Sequence, residues 1–147
     1  MLVNAVKPVV ESCVLKPPCM MVVSAVLPAV RVSIARRLVK ERGVGPAEVA
    51  ARMGLTPAAI TQYLTGVRGN QWVKRLESIG AVVQELDALV DDLSHDTVDQ
   101  AAVISRLCSI CQIVRRQGLI CDSHRGSLHG LALDDCQVCL KPASLNK

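Results

Sequence analysis

The stretch GPAEVAARMGLTPAAITQYLTGVRG, residues 45–69, predicts two short helices joined by a tight turn. Pro46 suits the first turn of a helix, and Gly54 supplies the left-handed residue that ends this helix. Thr56 then caps a second helix, with a proline in its first turn, and Gly66 ends it. Two short helices joined across three residues form a helix-turn-helix.

The segment ahead of this stretch predicts a longer helix over residues 20–42, which Gly43 ends. Pro28 is expected to kink this helix or to divide it into two. Residues 1–18 show no helical period and carry three prolines, so we expect an irregular arm there. The helix prediction is based on apolar side chains that recur four residues apart: Val22, Val26, Val30, Ile34 and Leu38.

Downstream of the pair, apolar residues recur in alternating steps of four and three over residues 72–93. This repeat of 3.5 residues predicts one helix with an apolar seam. The seam either joins two chains or packs inside an all-helical bundle, and the sequence leaves both open. Thr97 is expected to cap a last long helix that runs to Gln117 and ends at Gly118, and a loop through Cys121 and His124 is expected to follow it.

The composition favours an all-α protein, because half of the chain is apolar while there is one Trp, one Tyr and no Phe. The same scarcity of aromatic side chains argues against stacking on single-stranded nucleic acid. The sequence also lacks a βαβ pattern, a nucleotide-binding glycine loop and a paired-carboxylate site. We therefore expect a protein that is not an enzyme.

The net charge of +4 is unevenly distributed. Residues 31–75 carry nine positive and two negative side chains, a balance of +7, whereas residues 76–105 carry seven negative and no positive ones. A basic block of this size suits a polyanion such as DNA, and the acidic block would repel one. Only one part of the chain is therefore predicted to approach nucleic acid.

Residues 19–69, with the proline before them, read PCMMVVSAVLPAVRVSIARRLVKERGVGPAEVAARMGLTPAAITQYLTGVRG. This segment resembles archaeal predicted transcription regulators of the Cro/repressor-type (XRE) helix-turn-helix class, which also carry a cysteine-rich tail. The chain departs from their pattern at Met20, where they have Glu, at Pro46-Ala47, where a Ser/Thr-Gln pair is usual, and at Val67, where they have Lys. The last departure removes one expected phosphate contact.

A recognition helix enters the major groove by its N-terminal end, so the second helix of the pair is expected to read double-stranded DNA. Gln62 can bond adenine in a bidentate manner, and Ala58 can touch a thymine methyl group. Arg68 is suited to a phosphate, which positions the protein without specifying sequence. The predicted DNA-binding residues are Thr56, Ala58, Thr61, Gln62, Thr65 and Arg68.

Cysteines are concentrated in LCSICQIVRRQGLICDSHRGSLHGLALDDCQVCL, residues 107–140, which holds five of the seven. Their spacing is C-x2-C, nine residues, C-x2-H, eleven residues and C-x2-C. Thiolates brought this close repel one another unless a cation neutralises them, so a metal centre is expected rather than disulfides or inert burial. The candidate ligands are Cys108, Cys111, Cys121, Cys136 and Cys139, while Cys13 is expected to be a small buried residue.

Two centres suit these ligands. Tetrahedral zinc needs four, either the two C-x2-C pairs or one pair with Cys121 and His124. An iron-sulfur cluster takes its protein ligands from cysteines alone. The zinc scheme built from two pairs leaves Cys121 unused, and the resemblance, with its tail and an equivalent of Cys19, implies a sensor. We therefore favour an iron-sulfur cluster that senses iron or redox state, with a structural zinc as the alternative; His124 and His129 are then not ligands.

Residues 19–30 are too short to span a membrane, contain a proline and are followed by arginines, so a cytoplasmic protein without a membrane segment is expected. The sequence thus predicts an arm over 1–18, a helix-turn-helix DNA-binding domain of four to five helices over 19–70, a dimerisation or packing helix over 71–95 and a cysteine-rich metal-binding tail over 96–147. Together these predict a homodimeric transcription regulator.

Overall fold

A computed structural model of the chain describes residues 17–127 and 136–140. Throughout these residues every regular element is helical and no strand occurs, which confirms the predicted all-α class. Most of the predicted arm lies outside the described residues, as does His129. The arm does not extend to residue 18, because Pro18 already begins helix α1, Pro18–Met21.

Helix α1 continues through a π-helical segment, Val22–Val26, into helix α2, Leu27–Lys40. The Leu27 N–H donates to the carbonyl of Val22, five residues earlier, immediately ahead of Pro28. Proline lacks the N–H of a regular helix and its ring clashes with the carbonyl four residues before it, so the wider turn accommodates Pro28 without ending the helix. Pro28 thus does not divide the helix, which was one of its two predicted effects, and a π-helical segment lies ahead of it instead. The apolar residues spaced four apart are all buried.

The predicted helix pair is present as α3, Pro46–Met53, and α4, Pro57–Thr65. Gly54 and Gly66 have φ of 63° and 79° and end the two helices in the left-handed conformation. The Ala59 N–H donates to Thr56 Oγ1 at 3.2 Å, as expected of the cap. These bounds agree with the prediction because each is set by local backbone chemistry.

Three predictions for the second half of the chain were wrong. Residues 72–93 do not form one helix: a 3-10 turn, Asn70–Trp72, leads into α5, Val73–Glu77, and α6, Gly80–Ser94, starts after a break. The cap of α7, Gln100–Arg116, is Asp99, whose carboxylate accepts from two backbone N–H groups, and not Thr97. A further helix, α8, Cys121–Ser127, replaces the expected loop.

One hydrophobic core draws on residues from Val22 to Ile120. The apolar seam contributes to it, since the Leu76, Leu86 and Val90 side chains are 0%, 0% and 2% exposed within the single chain. Ser33, the buried polar residue of this part of the chain, donates to Glu77 at 2.8 Å and so ties α2 to α5. The seam thus packs inside the bundle, which is the second of its two predicted uses.

The close approach of Gly69 to α2 gives a stability prediction. A Cβ at Gly69 would lie 2.7 Å from Val32 Cγ2 and 2.9 Å from the Pro28 carbonyl oxygen, and φ is 79°. We expect Gly69→Ala to lower the free energy of unfolding by about 1–3 kcal/mol, measured by urea denaturation. Gly80→Ala is the control, because nothing lies within 4 Å of its Cβ position, and a matching loss there would refute the steric explanation.

Among the described residues, one helical run, Pro18–Lys40, is long and apolar enough to cross a membrane by length and composition. The mean hydropathy of its window is 1.8, and 44% of that window is buried within the chain. The length argument made from residues 19–30 therefore fails, because α1, the π-helical segment and α2 form 23 continuous residues. Core helices of soluble proteins satisfy the same criterion.

Candidate functional site

Helix α4 has one face buried and one face open to solvent. Ile60 and Tyr63 are buried against the core, at 0% and 3% exposure, and Leu64 is partly buried rather than fully inward. The opposite face consists of the residues predicted to read DNA, and all of them are exposed: Thr56, Ala58, Thr61, Gln62 and Thr65, followed by Arg68. Ala58, Thr61, Gln62 and Thr65 therefore share the open face of α4, and Thr56 and Arg68 are exposed just before and just after this helix.

The side chains on this surface differ in their internal hydrogen bonds. The Thr61 hydroxyl donates to the Pro57 carbonyl at 3.1 Å, and the Thr65 hydroxyl donates to the Thr61 carbonyl at 2.9 Å. The backbone carbonyl of Gln62 accepts from the Val67 N–H at 3.1 Å, but its side-chain amide makes no hydrogen bond within the described residues. A glutamine amide can donate and accept at once, so Gln62 is the member of the set best suited to the edge of an adenine.

A cleft of about 420 Å³ separates the start of α2 from α4. Arg31 and Arg68 both line it, beside Tyr63 and the Thr56 cap. Two arginines that line one cleft next to an exposed helix suit a phosphate backbone, because arginine can bind phosphate in a bidentate manner. Sequence reasoning did not single out Arg31, although its place in the basic block was visible.

Ion pairs within the chain alter the charge argument made from the sequence. Arg37, in the last turn of α2, pairs with Asp87, and Arg42, just beyond α2, pairs with Asp91, so both are held by acidic side chains of α6. Arg52 pairs with Glu48 at 2.7 Å, within α3. The basic and acidic blocks thus partly neutralise each other, and the charge left for a polyanion is smaller than +7.

The cysteines of the described residues lie on α1, on α7, at the start of α8 and in the segment 136–140. Cys108 and Cys111 lie on α7, Cys121 begins α8, and Cys136 and Cys139 lie in the segment 136–140, all with free thiols. This segment lies over the turn between α7 and α8, because a Cβ on Gly118 would be 3.7 Å from Cys121 Sγ and 3.8 Å from Leu140 Cδ2. A sixth thiol, Cys19, lies on α1, which contacts α8.

Electrostatic interactions divide these thiols into two neighbourhoods. Burial raises the pKa of the Cys111 thiol, Arg115 opposes this, and the nearby Cys108 and Cys19 raise it further. Burial also raises the pKa of Cys121, as do Cys139 and Cys136. Thiols with a raised pKa stay protonated at neutral pH, and a bound metal must displace their protons.

Two arginines of the cysteine region were missed by the sequence analysis. A hydrogen bond to Cys139 is the main cause that raises the pKa of the Arg115 guanidinium, and its charge also interacts with Cys111 and Cys19, so Arg115 links the two neighbourhoods. The Nε atoms of Arg115 and Arg125 are buried without a hydrogen-bond acceptor. A signal was present in the sequence: each arginine follows a cysteine by four residues, which places both side chains on one helical face.

The side chains of this region are close but do not form a finished metal site. Within residues 17–127 and 136–140, no three His, Cys, Asp or Glu side chains converge enough to hold an ion. The donor set nevertheless fits a thiophilic metal, since cysteine supplies the ligands of structural zinc and of iron-sulfur clusters. Two buried N–H donors without acceptors suit a centre that carries negative charge or sulfide.

No family model, curated protein or solved structure matches this chain.

Proposed function

We propose that the chain is a sequence-specific DNA-binding transcription regulator that reads the major groove through a helix-turn-helix formed by α3 and α4. The proposal is supported chiefly by the exposed face of α4, on which every predicted reading residue is accessible while Ile60 and Tyr63 anchor the helix to the core. A helix presented in this way can enter a groove about 12 Å wide without unfolding any part of the bundle.

Base reading and backbone positioning are assigned to different side chains. Gln62 reads a base edge, because its amide is accessible and makes no internal hydrogen bond among the described residues. Arg68, with Arg31 across the cleft, holds a phosphate. The resemblance to XRE-type regulators implies the same division of roles.

Two substitutions test this assignment. Gln62→Ala should relax sequence preference at one operator position by about 1–3 kcal/mol. Arg68→Ala should weaken binding to all sequences alike and lower the slope of log affinity against log salt by about one. Binding-site selection from a random DNA library, followed by salt titration, measures both effects.

Matched controls come from α7, which bears Gln112 and Arg116 as exposed residues remote from α4. Gln112→Ala and Arg116→Ala should leave sequence preference unchanged. If Gln62→Ala selects the same operator as the wild type, Gln62 is not a reading residue; if the wild type selects no sequence at all, the proposed function itself is wrong.

We propose a homodimer that binds half-sites about one helical turn apart, roughly 34 Å, on a palindromic operator. The surface that joins the two copies has to lie outside the fully buried seam residues, because Leu76, Leu86 and Val90 are packed within one chain. Light scattering of the wild type measures the oligomeric state.

We also propose a cytoplasmic protein, with Pro18–Lys40 as a core helix, since α2 packs against α4 and α6.

We propose that the clustered cysteines bind an iron-sulfur cluster that responds to iron or redox state. The gathering of thiols around Arg115 and Arg125 supports this proposal, since inorganic sulfide accepts the hydrogen bonds that the two Nε atoms lack. A single zinc ion is the alternative, because four thiolates satisfy it. In either case binding draws the thiols together, so the tail closes as the centre forms.

A further inference from the structure

Cys19 lies at the opposite end of the sequence from the other cysteines but at the same end of the folded chain. It is the second residue of α1, Pro18–Met21, and α1 contacts α8, Cys121–Ser127. Its thiol is exposed and free. An exposed cysteine on an otherwise apolar helix has no packing role, so its position beside the other thiols requires a different explanation.

The surroundings of Cys19 consist of the groups that would hold a thiophilic metal. Cys19 interacts electrostatically with Cys111 and with Arg115, and Arg115 also makes a hydrogen bond to Cys139. Thiols from α1, α7 and the segment 136–140 therefore surround one guanidinium. Cys108, Cys111 and Cys19 form one group on this side, and Cys121, Cys136 and Cys139 form the other.

We propose that Cys19 is a ligand of the same centre as the C-terminal cysteines, so that a bound cluster or metal ion joins α1 to α7 and α8. This inference rests on the proposed metal centre and adds a ligand that is far from the other cysteines in the sequence, since the nearest of them is Cys108. It also changes the route by which the centre would affect DNA binding.

A continuous helical run connects Cys19 to α2, which packs against the proposed DNA-reading helix α4. From α1 the chain passes through the π-helical segment Val22–Val26 into α2 without a break. Helix α2 packs against α4, and Gly69, just beyond α4, lies against the backbone of Pro28. A centre that holds Cys19 thus fixes the start of the helix that supports the reading helix, and its loss frees that end at the π-bulge.

Chemical labelling of the wild-type protein tests the ligand directly. Anaerobically purified protein is treated with N-ethylmaleimide, before and after removal of metal by EDTA with a ferrous chelator, and labelled cysteines are mapped by peptide mass spectrometry; iron, sulfide and zinc are measured on the same sample. Because Cys19 is exposed, an unligated thiol reacts at once. We expect Cys19 to be protected at least about tenfold until metal is removed.

A matched pair of variants gives the second measurement. Cys19→Ser should weaken retention of the metal against the chelator by more than about tenfold, whereas Cys13→Ser should not. The helical circular dichroism of metal-free Cys19→Ser should equal that of the metal-free wild type, because the replaced side chain is exposed.

The outcomes separate this inference from the proposed centre. If the C-terminal cysteines are protected by a metal while Cys19 labels equally fast with and without it, the centre stands and the Cys19 ligand is refuted. If the wild type carries no metal and all cysteines label freely, both are refuted together. If Cys19 is protected and the bound metal is zinc rather than iron, Cys19 is still a ligand and only the iron-sulfur cluster is refuted.

Discussion

Leu86→Asp is expected to unfold the chain. Leu86 lies on α6 with no exposed surface, inside the core that joins α2, α6 and α7. Removing a buried leucine costs about 2–5 kcal/mol, and the new carboxylate has no buried partner to offset its loss of water. Since domains of this size are stable by only about 5–15 kcal/mol, most of the folded population should disappear. Far-ultraviolet circular dichroism and urea denaturation measure the change.

The control for this substitution is Ile104→Asp on α7. Ile104 is 61% exposed, so the same charge there remains in water and should change the free energy of unfolding by no more than about 0.5 kcal/mol. If Leu86→Asp instead gave a stable, helical monomer from a wild-type dimer, the apolar seam would face a second chain and the packing described above would be wrong.

The helix pair α3–α4 was predictable in detail from the sequence, because its limits depend on neighbouring residues only. A left-handed glycine at Gly54 and Gly66 and a capping hydroxyl at Thr56 act within one turn of the chain. The sequence predicted Ile60 and Leu64 as the inward residues of α4, and the structure differs from this at two positions. Tyr63 is buried although it was not assigned to the inner face, and Leu64 is only partly buried.

The second half of the chain was less predictable because its elements depend on tertiary contacts. The 3.5-residue repeat continues through Ser78 and Ile79, where the backbone leaves the helix, because both flanking helices present their apolar sides to one core. Thr97 and Asp99 are equally good caps by composition, and Asp99 is the one whose carboxylate meets the first free N–H groups of α7. The period of the apolar residues predicts which side of a helix is buried, but it does not predict where the helix ends.

In the candidate sites too, local features were predictable from the sequence and long-range contacts were not. Spacing predicted that Cys108 and Cys111 share a face of a helix, but it could not predict that Cys19 lies nearby, since that depends on how α1 meets α8. Likewise the block charges of +7 and −7 could be counted, whereas the pairing of Arg37 with Asp87 required the fold. A sequence shows which residues can begin or end a helix, because those effects are local. It does not show which distant residues become neighbours in the fold.

Loss of a C-terminal ligand is the prediction with the largest expected effect on the cysteine centre. Cys108→Ala and Cys136→Ala remove one thiol from each C-x2-C pair, one on α7 and one in the segment 136–140. With Cys108 and Cys136 both serving as ligands, each variant lacks one thiolate of the set that holds the cluster. We expect anaerobically prepared wild-type protein to be brown and to contain iron and acid-labile sulfide, and both variants to be colourless.

Absorbance spectra, with iron, sulfide and zinc measured on the same samples, test this expectation, and exposure to air adds a functional readout. The wild type should bleach in air and change its affinity for the selected operator, because loss of the centre releases the contact between α7, α8 and the segment 136–140. Cys13→Ala should keep the colour. Colourless wild-type protein with one firmly held zinc per chain would refute the cluster and favour a structural centre, since zinc holds the same shape without responding to electrons. Wild-type protein that carries no metal, with every thiol open to titration, would refute both centres.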